Sequence, residues 1–179
     1  MSIISSMKNY KIKQLRKLYN TRQRKKQGKY ILEGYRIIEE AVEAGEHIES
    51  VFMTPHYAES SRGKRLAGMI SHNSHIEFID SELLNELSDT VNPQGVICVV
   101  AEKNKEQLLE TYNKIIILDQ IQDPGNMGTI IRTAVAAGFD GIITLKGSVD
   151  IYNLKVIRAT AGAIFNIPIV NRFKKVRLI

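Results

Sequence analysis

The chain has 179 residues, of which 44% are hydrophobic and 25% charged, with one cysteine and no Trp. That length holds one large domain or two small ones, with apolar content ordinary for a packed core. One cysteine excludes a disulfide framework and fits a reducing compartment, and Cys98, inside the apolar run Gly95–Ala101, reads as strand filling rather than a nucleophile. No apolar stretch approaches the ~20 residues of a membrane span, and the N-terminus has no signal-peptide core. A cytoplasmic protein with no membrane partner is expected.

The net charge of +6 is unevenly placed. Residues 8–29 hold ten Lys or Arg (Lys8, Lys11, Lys13, Arg16, Lys17, Arg22, Arg24, Lys25, Lys26 and Lys29) and no acid. Taking those ten from +6 leaves −4 for the remainder, so the basicity is a local device. Residues 8–27 suit one helix with a thin apolar stripe: Tyr10 or Ile12, then Leu15, Leu18 and Tyr19. A solvated charged helix would carry this pattern. So would a surface for a polyanion, since neutralised phosphates release counterions and drive binding. Charge alone does not separate RNA from DNA or an acidic membrane. Tyr10, Tyr19 and Tyr30 fit base stacking or core equally well.

Further along, Tyr30–Glu33 reads as a strand and Tyr35–Ala44 as a helix closed by Gly45. Ile48–Met53 reads as a strand, Tyr57–Ile70 as a helix and His75–Ile79 as a strand. Ser81 is placed as the cap of a short helix to Leu87, before strand Gly95–Ala101. The alternation predicts a small α/β/α domain over residues 1–102. Residues 103–113 are polar and read as a linker. From 114 to 179 the pattern becomes β-α-β-α-β: strand Ile115–Leu118, helix Met127–Ala137, strand Gly141–Leu145, helix Asn153–Phe165 and strand Ile167–Val170. Continuous apolar strands separated by helices imply a parallel sheet, with Ile115–Leu118 buried on both faces.

Ligands of such sheets bind beyond the carboxyl ends of strands. Asp119–Thr129 is a loop of that kind: Pro124–Gly125 turns, Asn126 is a candidate cap, and Gly128 permits close backbone approach. Arg132 lies near the positive end of the following helix, where the macrodipole offers a cation nothing. Either a salt bridge to Asp119, Asp123 or Asp150 or an external anionic or hydroxylic group accounts for it. Neither GxGxxG nor GxxxxGK[ST] is present, which removes the two commonest nucleotide motifs. In the second loop-helix segment, Lys155 and Arg158 share a helix face at i, i+3. The run Ala159-Thr-Ala-Gly-Ala163 suits close packing against another backbone. His47, His72 and His75 lack partner cysteines, and no metal site is expected.

Together, Asn126-Met-Gly128-Thr-Ile-Ile-Arg132-Thr-Ala134 with Gly138-Phe139, and Lys155-Val-Ile-Arg158-Ala-Thr-Ala-Gly162-Ala-Ile-Phe165-Asn-Ile-Pro168, resemble two motifs of the SpoU (TrmH-like) RNA 2′-O-ribose methyltransferases. The pattern Asn9, Lys13, Leu15-Arg16, Leu18, Arg24, Gly28-Lys29-Tyr30 and Glu33-Gly34 is similar to that family's N-terminal substrate-binding domain. The resemblance implies methyl transfer from S-adenosylmethionine to a 2′-hydroxyl of structured RNA, ribosomal by preference, in a homodimeric knotted-methyltransferase fold. It implies catalytic roles for Arg132, which would polarise the hydroxyl and stabilise oxyanion charge, and for Asn126, which would hold the reacting end by hydrogen bonds. A guanidinium is always protonated and makes a poor base. Candidate RNA contacts are Lys13, Arg16, Lys17, Arg22, Arg24, Lys25, Lys26 and Lys29, with Lys155 and Arg158 at RNA phosphate or the dimer seam.

The family's third motif, a Gly-rich loop followed by an Ile-Pro-Met stretch and a Ser-Leu-Asn-Val-Ser-like stretch, has no counterpart in Asn171–Ile179. In the family that motif supplies most of the adenosylmethionine pocket. The sequence thus reads as an incomplete, C-terminally truncated methyltransferase domain, expected to bind adenosylmethionine poorly or not at all. No cofactor-binding residues are assigned. A non-catalytic RNA-binding module is the alternative.

Overall fold

The structure, a computed structural model, describes residues 2–70, 74–103 and 112–173. It divides into two compact units, Met1–Glu102 and Lys103–Ile179. Most of the linker and the final six residues lie outside the described residues. No described helix is long and apolar enough to cross a membrane.

The first unit contains strands β1 (Ile3–Ile4), β2 (Lys29–Glu33), β3 (His47–Met53), β4 (His75–Ile79) and β5 (Val96–Ala101), ordered β1-β4-β3-β5-β2. β1, β4 and β3 pair in parallel, whereas β5 runs antiparallel to both β3 and β2. The carboxyl ends of β2, β3 and β4 therefore share one edge with the start of β5. Ile31, Leu32, Val51, Met53, Ile97 and Cys98 build the core, against which Ile12 and Leu15 of helix α1 (Tyr10–Lys17) are fully buried. Of the two alternatives for the start of the stripe, Ile12 is core and Tyr10 is 73% exposed. Cys98 fills β5, and burial pushes its thiol up.

The basic segment is two helices, not one. α1 ends at Lys17, and α2 (Thr21–Gln27) begins after Asn20, whose side chain accepts from the N–H groups of Arg22 and Gln23. An Asn cap satisfies donors that a continuous helix would bond to its own carbonyls, so the break is locally stabilised. Gly28, at φ +61, closes α2. Helix α3 (Tyr35–Glu43) follows as expected. The expected helix Tyr57–Ile70 is likewise split, into α4 (Pro55–Glu59) and α5 (Ser61–Met69). Ser60 leaves helical geometry at ψ 157 to cap α5. Asp80, not Ser81, caps α6 (Ser81–Leu87) by accepting from Glu82 N–H.

The second unit holds a parallel sheet in the order β6 (Ile115–Leu118), β7 (Gly141–Leu145) and β8 (Ile169–Phe173). Helix α7 (Pro124–Ala136) follows β6, and α8 (Leu154–Thr160) precedes a 3₁₀ turn, Ala163–Phe165. The helix expected over Asn153–Phe165 stops at Thr160, because Ala161 (φ +45) and Gly162 (φ +84) are left-handed. The last strand starts at Ile169, two residues later than expected. Burial of Ile115–Leu118 on both faces is not observed. β6 is an edge strand among the described residues, Leu118 is buried, and Ile117 is 44% exposed.

Candidate functional site

The loop after β6 leads into α7, and the residue that starts the helix is Asp123. Its Oδ1 accepts from Asn126 N–H at 2.7 Å, and Pro124 follows at the first helical position. The expected cap at Asn126 is thus corrected: Asn126 is already inside the helix, and its side chain is exposed. The carboxylate of Asp123 lies at the positive end of α7, where it offsets the helix dipole. Met127, Gly128, Ile131 and Ala134 form the buried face of α7, and Arg132 lies on the exposed surface.

Gly128 is where α7 and α8 meet. A Cβ built there would fall 2.3 Å from Ala159 Cβ and 2.7 Å from the Ala159 carbonyl carbon. The close approach expected of Gly128 and of the small residues after Arg158 is therefore one contact. Lys155 and Arg158 are both exposed on α8, whose other side buries Val156, Ile157 and Thr160. Asn153 caps α8 by accepting from Lys155 N–H at 2.9 Å.

The second loop locks to the first. Val149 N–H donates to Ile121 O at 2.8 Å, and Ile121 N–H donates to Ser148 Oγ at 3.3 Å. The Ser148 hydroxyl donates in turn to Leu118 O at 3.2 Å. Asp150 is buried and accepts from Tyr152 N–H at 3.3 Å and from Asn171 Nδ2 at 3.2 Å. Asn171 Oδ1 accepts from the Thr144 hydroxyl at 3.2 Å. None of the ion pairs among the described residues engages Arg132. The internal salt bridge offered by the sequence is not formed there, and the guanidinium is exposed on the ninth of the 13 residues of α7, nearer the carboxyl end than the positive end expected of it.

In the first unit, Lys13, Arg16 and Lys17 on α1 and Arg22, Lys25 and Lys26 on α2 are exposed. Arg24 departs from the set. It is only 5% exposed, and its Nη1 donates to Leu18 O at 2.8 Å and Tyr19 O at 3.0 Å, with Nη2 donating to Thr21 Oγ1 at 2.9 Å. Those carbonyls are orphaned by the break between α1 and α2, so Arg24 closes the corner rather than meeting phosphate. Lys29 pairs with Glu49 at 2.7 Å, and Lys11 pairs with Glu77. Tyr30 is buried, and Tyr19 is tied to Glu33 through its hydroxyl at 2.8 Å. Burial and the Glu33 charge raise the Tyr19 phenol, which stays protonated and donating.

Two residues were passed over at the sequence level although signals existed. Asp-Pro ahead of an apolar helix is a cap followed by a proline at the first helical position. Glu33, at the end of β2, accepts from Tyr19 and also from Ser88 Oγ at 3.0 Å and Asp89 N–H at 3.1 Å. It had appeared only as part of a strand and motif.

Comparison with known proteins follows the same division. Residues 9–98 match the MRM3-like substrate binding domain, and residues 113–178 match the SpoU rRNA Methylase family. The chain is 30% identical over 172 residues to the 23S rRNA (guanosine(2553)-2′-O)-methyltransferase RlmP of Bacillus subtilis, covering 96% of this chain and 66% of that protein. It is 36% identical to the human mitochondrial rRNA methyltransferase 3, covering 84% of this chain and 37% of the relative. Among solved structures, the SpoU methyltransferase AviRb of Streptomyces viridochromogenes in complex with AdoMet superimposes with a TM-score of 0.83 at 26% identity, covering 93% of this chain and 64% of that one. An AdoMet-bound rRNA methyltransferase from Sinorhizobium meliloti gives 0.80 at 26% identity, covering 96% and 64%. This chain belongs to the SpoU rRNA methylase family and carries the family's MRM3-like substrate-binding domain. It spans 66% or less of the length of these relatives.

Proposed function

We propose that the chain serves 2′-O-ribose methylation of ribosomal RNA, with S-adenosylmethionine as methyl donor, in a cytoplasmic homodimer. The observation that carries this reading is the exposed Arg132, unpaired among the described residues, more than two helical turns into α7, the helix that follows parallel strand β6. A 2′-hydroxyl is a poor nucleophile near neutral pH. Arg132 donates hydrogen bonds to its oxygen and favours the charge that develops there, while Asn126 orients the ribose. Lys13, Arg16, Lys17, Arg22, Lys25 and Lys26 hold RNA phosphates, with Lys155 and Arg158 as further phosphate contacts.

The donor supplies an electrophilic methyl group when bound. Ser148 Oγ, Ile121 N–H and O, and Val149 N–H, the polar groups where the two loops meet, bond to one another and to Leu118 O. The chemistry assigned to the described residues is that of the acceptor hydroxyl. The exposed cations of α1 and α2 favour the second reading, an RNA-binding module without catalysis of its own.

Transfer of tritiated methyl from S-adenosylmethionine to ribosomal RNA tests both. Label at ribose 2′-oxygen that Arg132→Ala abolishes, with RNA affinity within twofold, is the expected result. Label surviving Arg132→Ala removes that residue's role. RNA bound tightly and salt-dependently but left unlabelled selects the binding module.

A further inference from the structure

The edge of the first unit's sheet where β2, β3 and β4 end and β5 begins opens into a cleft of about 520 Å³. Open α/β sheets take ligands at such carboxyl ends, and this volume is in the range of small-ligand sites. Its walls come from Gly95 of the β5 entry and from the residues that begin α3, α4, α5 and α6. Its lining contains Arg62 and His56 and no carboxylate, which suits a phosphate-bearing ligand.

Two features define what fits. First, the Arg62 guanidinium lies 4.0 Å from the centroid of the Tyr35 ring, and the Tyr35 hydroxyl accepts from Arg36 Nε at 3.3 Å. The ring is held at its face and its tip, so a planar cation is supported from behind. Guanidinium planes are platforms on which unpaired bases stack. Second, the wall carries a polar group with capacity to spare. Gln94 Oε1 accepts from Tyr35 N–H at 3.0 Å, which leaves its NH₂ to donate. Pro93 and Gln94 of the lining end the 88–94 loop, which Glu33 clamps at Ser88 and Asp89.

We infer that this cleft seats one unstacked RNA nucleobase, its face on the Arg62–Tyr35 pair and its polar edge met by Gln94. The inference rests on the reading of the chain as RNA-binding, and it adds a base-sized site to the phosphate contacts of α1 and α2.

Fluorescein-labelled RNA hairpins of one stem sequence, either fully paired or bearing a single unpaired A, G, C or U, are titrated with the whole chain at fixed salt. At least one bulged hairpin is expected to bind about tenfold tighter than the paired one, the scale of a single base-stacking contact. Arg62→Lys keeps the charge but loses the plane. It is expected to abolish the preference, as is Arg62→Ala, with paired-hairpin affinity within twofold for Arg62→Lys. Paired and bulged hairpins bound equally would overturn the cleft while leaving the RNA reading intact. A preference that survives both Arg62 variants places the base elsewhere and overturns it too. No binding to any hairpin removes the RNA reading and this inference with it.

Discussion

Gly128→Ala puts the junction of α7 and α8 under a defined load. The added Cβ falls 2.3 Å from Ala159 Cβ, about 1.2 Å short of the ~3.5 Å at which carbon atoms rest. Its other neighbours, the Ala159 carbonyl carbon at 2.7 Å and Cα at 3.0 Å, are main chain, so no side-chain rotation relieves the contact. Overpacking of this kind costs about 1–3 kcal/mol. Against it stands a gain of about 1 kcal/mol from replacing a mid-helix glycine with alanine. With the clash at the upper end of its range, the net is a loss of about 1–2 kcal/mol. For a unit of this size that lowers Tm by roughly 4–16 °C. Differential scanning calorimetry of the single variants and the pair supplies the assay. Ala159→Gly removes the nearest atom but not the carbonyl, so Gly128→Ala/Ala159→Gly is expected to show favourable coupling of about 0.5–1 kcal/mol without full recovery. A Gly128→Ala protein as stable as wild type, or a pair whose effects simply add, would refute the close-approach reasoning.

Three further outcomes follow from the same geometry. Arg24→Ala leaves Leu18 O and Tyr19 O without their buried partner and is expected to cost about 2–4 kcal/mol in urea denaturation, whereas Arg22→Ala changes stability by less than about 0.5 kcal/mol and weakens RNA binding instead. Tyr57→Phe removes a buried hydroxyl without a partner, whose pKa burial and nearby Glu39 push up to about 12, and is expected to raise stability by about 1 kcal/mol in the RNA-free protein. Asp140 accepts from Lys114 N–H at 2.8 Å and Asn113 N–H at 2.9 Å, which hold its carboxyl below the usual range. Its contribution is present above about pH 4 and lost as pH falls through the lowered value, so the Tm gap between wild type and Asp140→Asn should be widest near neutrality and close in acid.

The strands and the two loop motifs were legible because they rest on local signals: continuous apolar runs for β5 and β7, Gly-punctuated turns ahead of α7 and α8. What escaped depended on partners distant in sequence or on single-residue geometry. Nothing local distinguishes Arg24 from its cationic neighbours. It is set apart only because the break between α1 and α2 frees two carbonyls beside it. The end of α8 was hidden for a related reason, since Ala161 favours helix by propensity yet sits at φ +45. The Asn126 side chain and Arg132 were legible as exposed polar groups, but the cap beneath them was assigned to the wrong residue because Asn126 and Asp123 both suit that position.

Glu33 leaves a genetic signature as well as a structural one. One carboxylate anchors the tyrosine between the two basic helices and the 88–94 loop whose last residues line the cleft, so a single codon governs two parts of the molecule that are far apart in sequence. A screen that scores variants region by region would register position 33 as a defect in both. Compensating changes found for it would fall among residues 19, 88 and 89, a pattern by which homologous chains that have lost or rebuilt this anchor can be recognised from sequence alone.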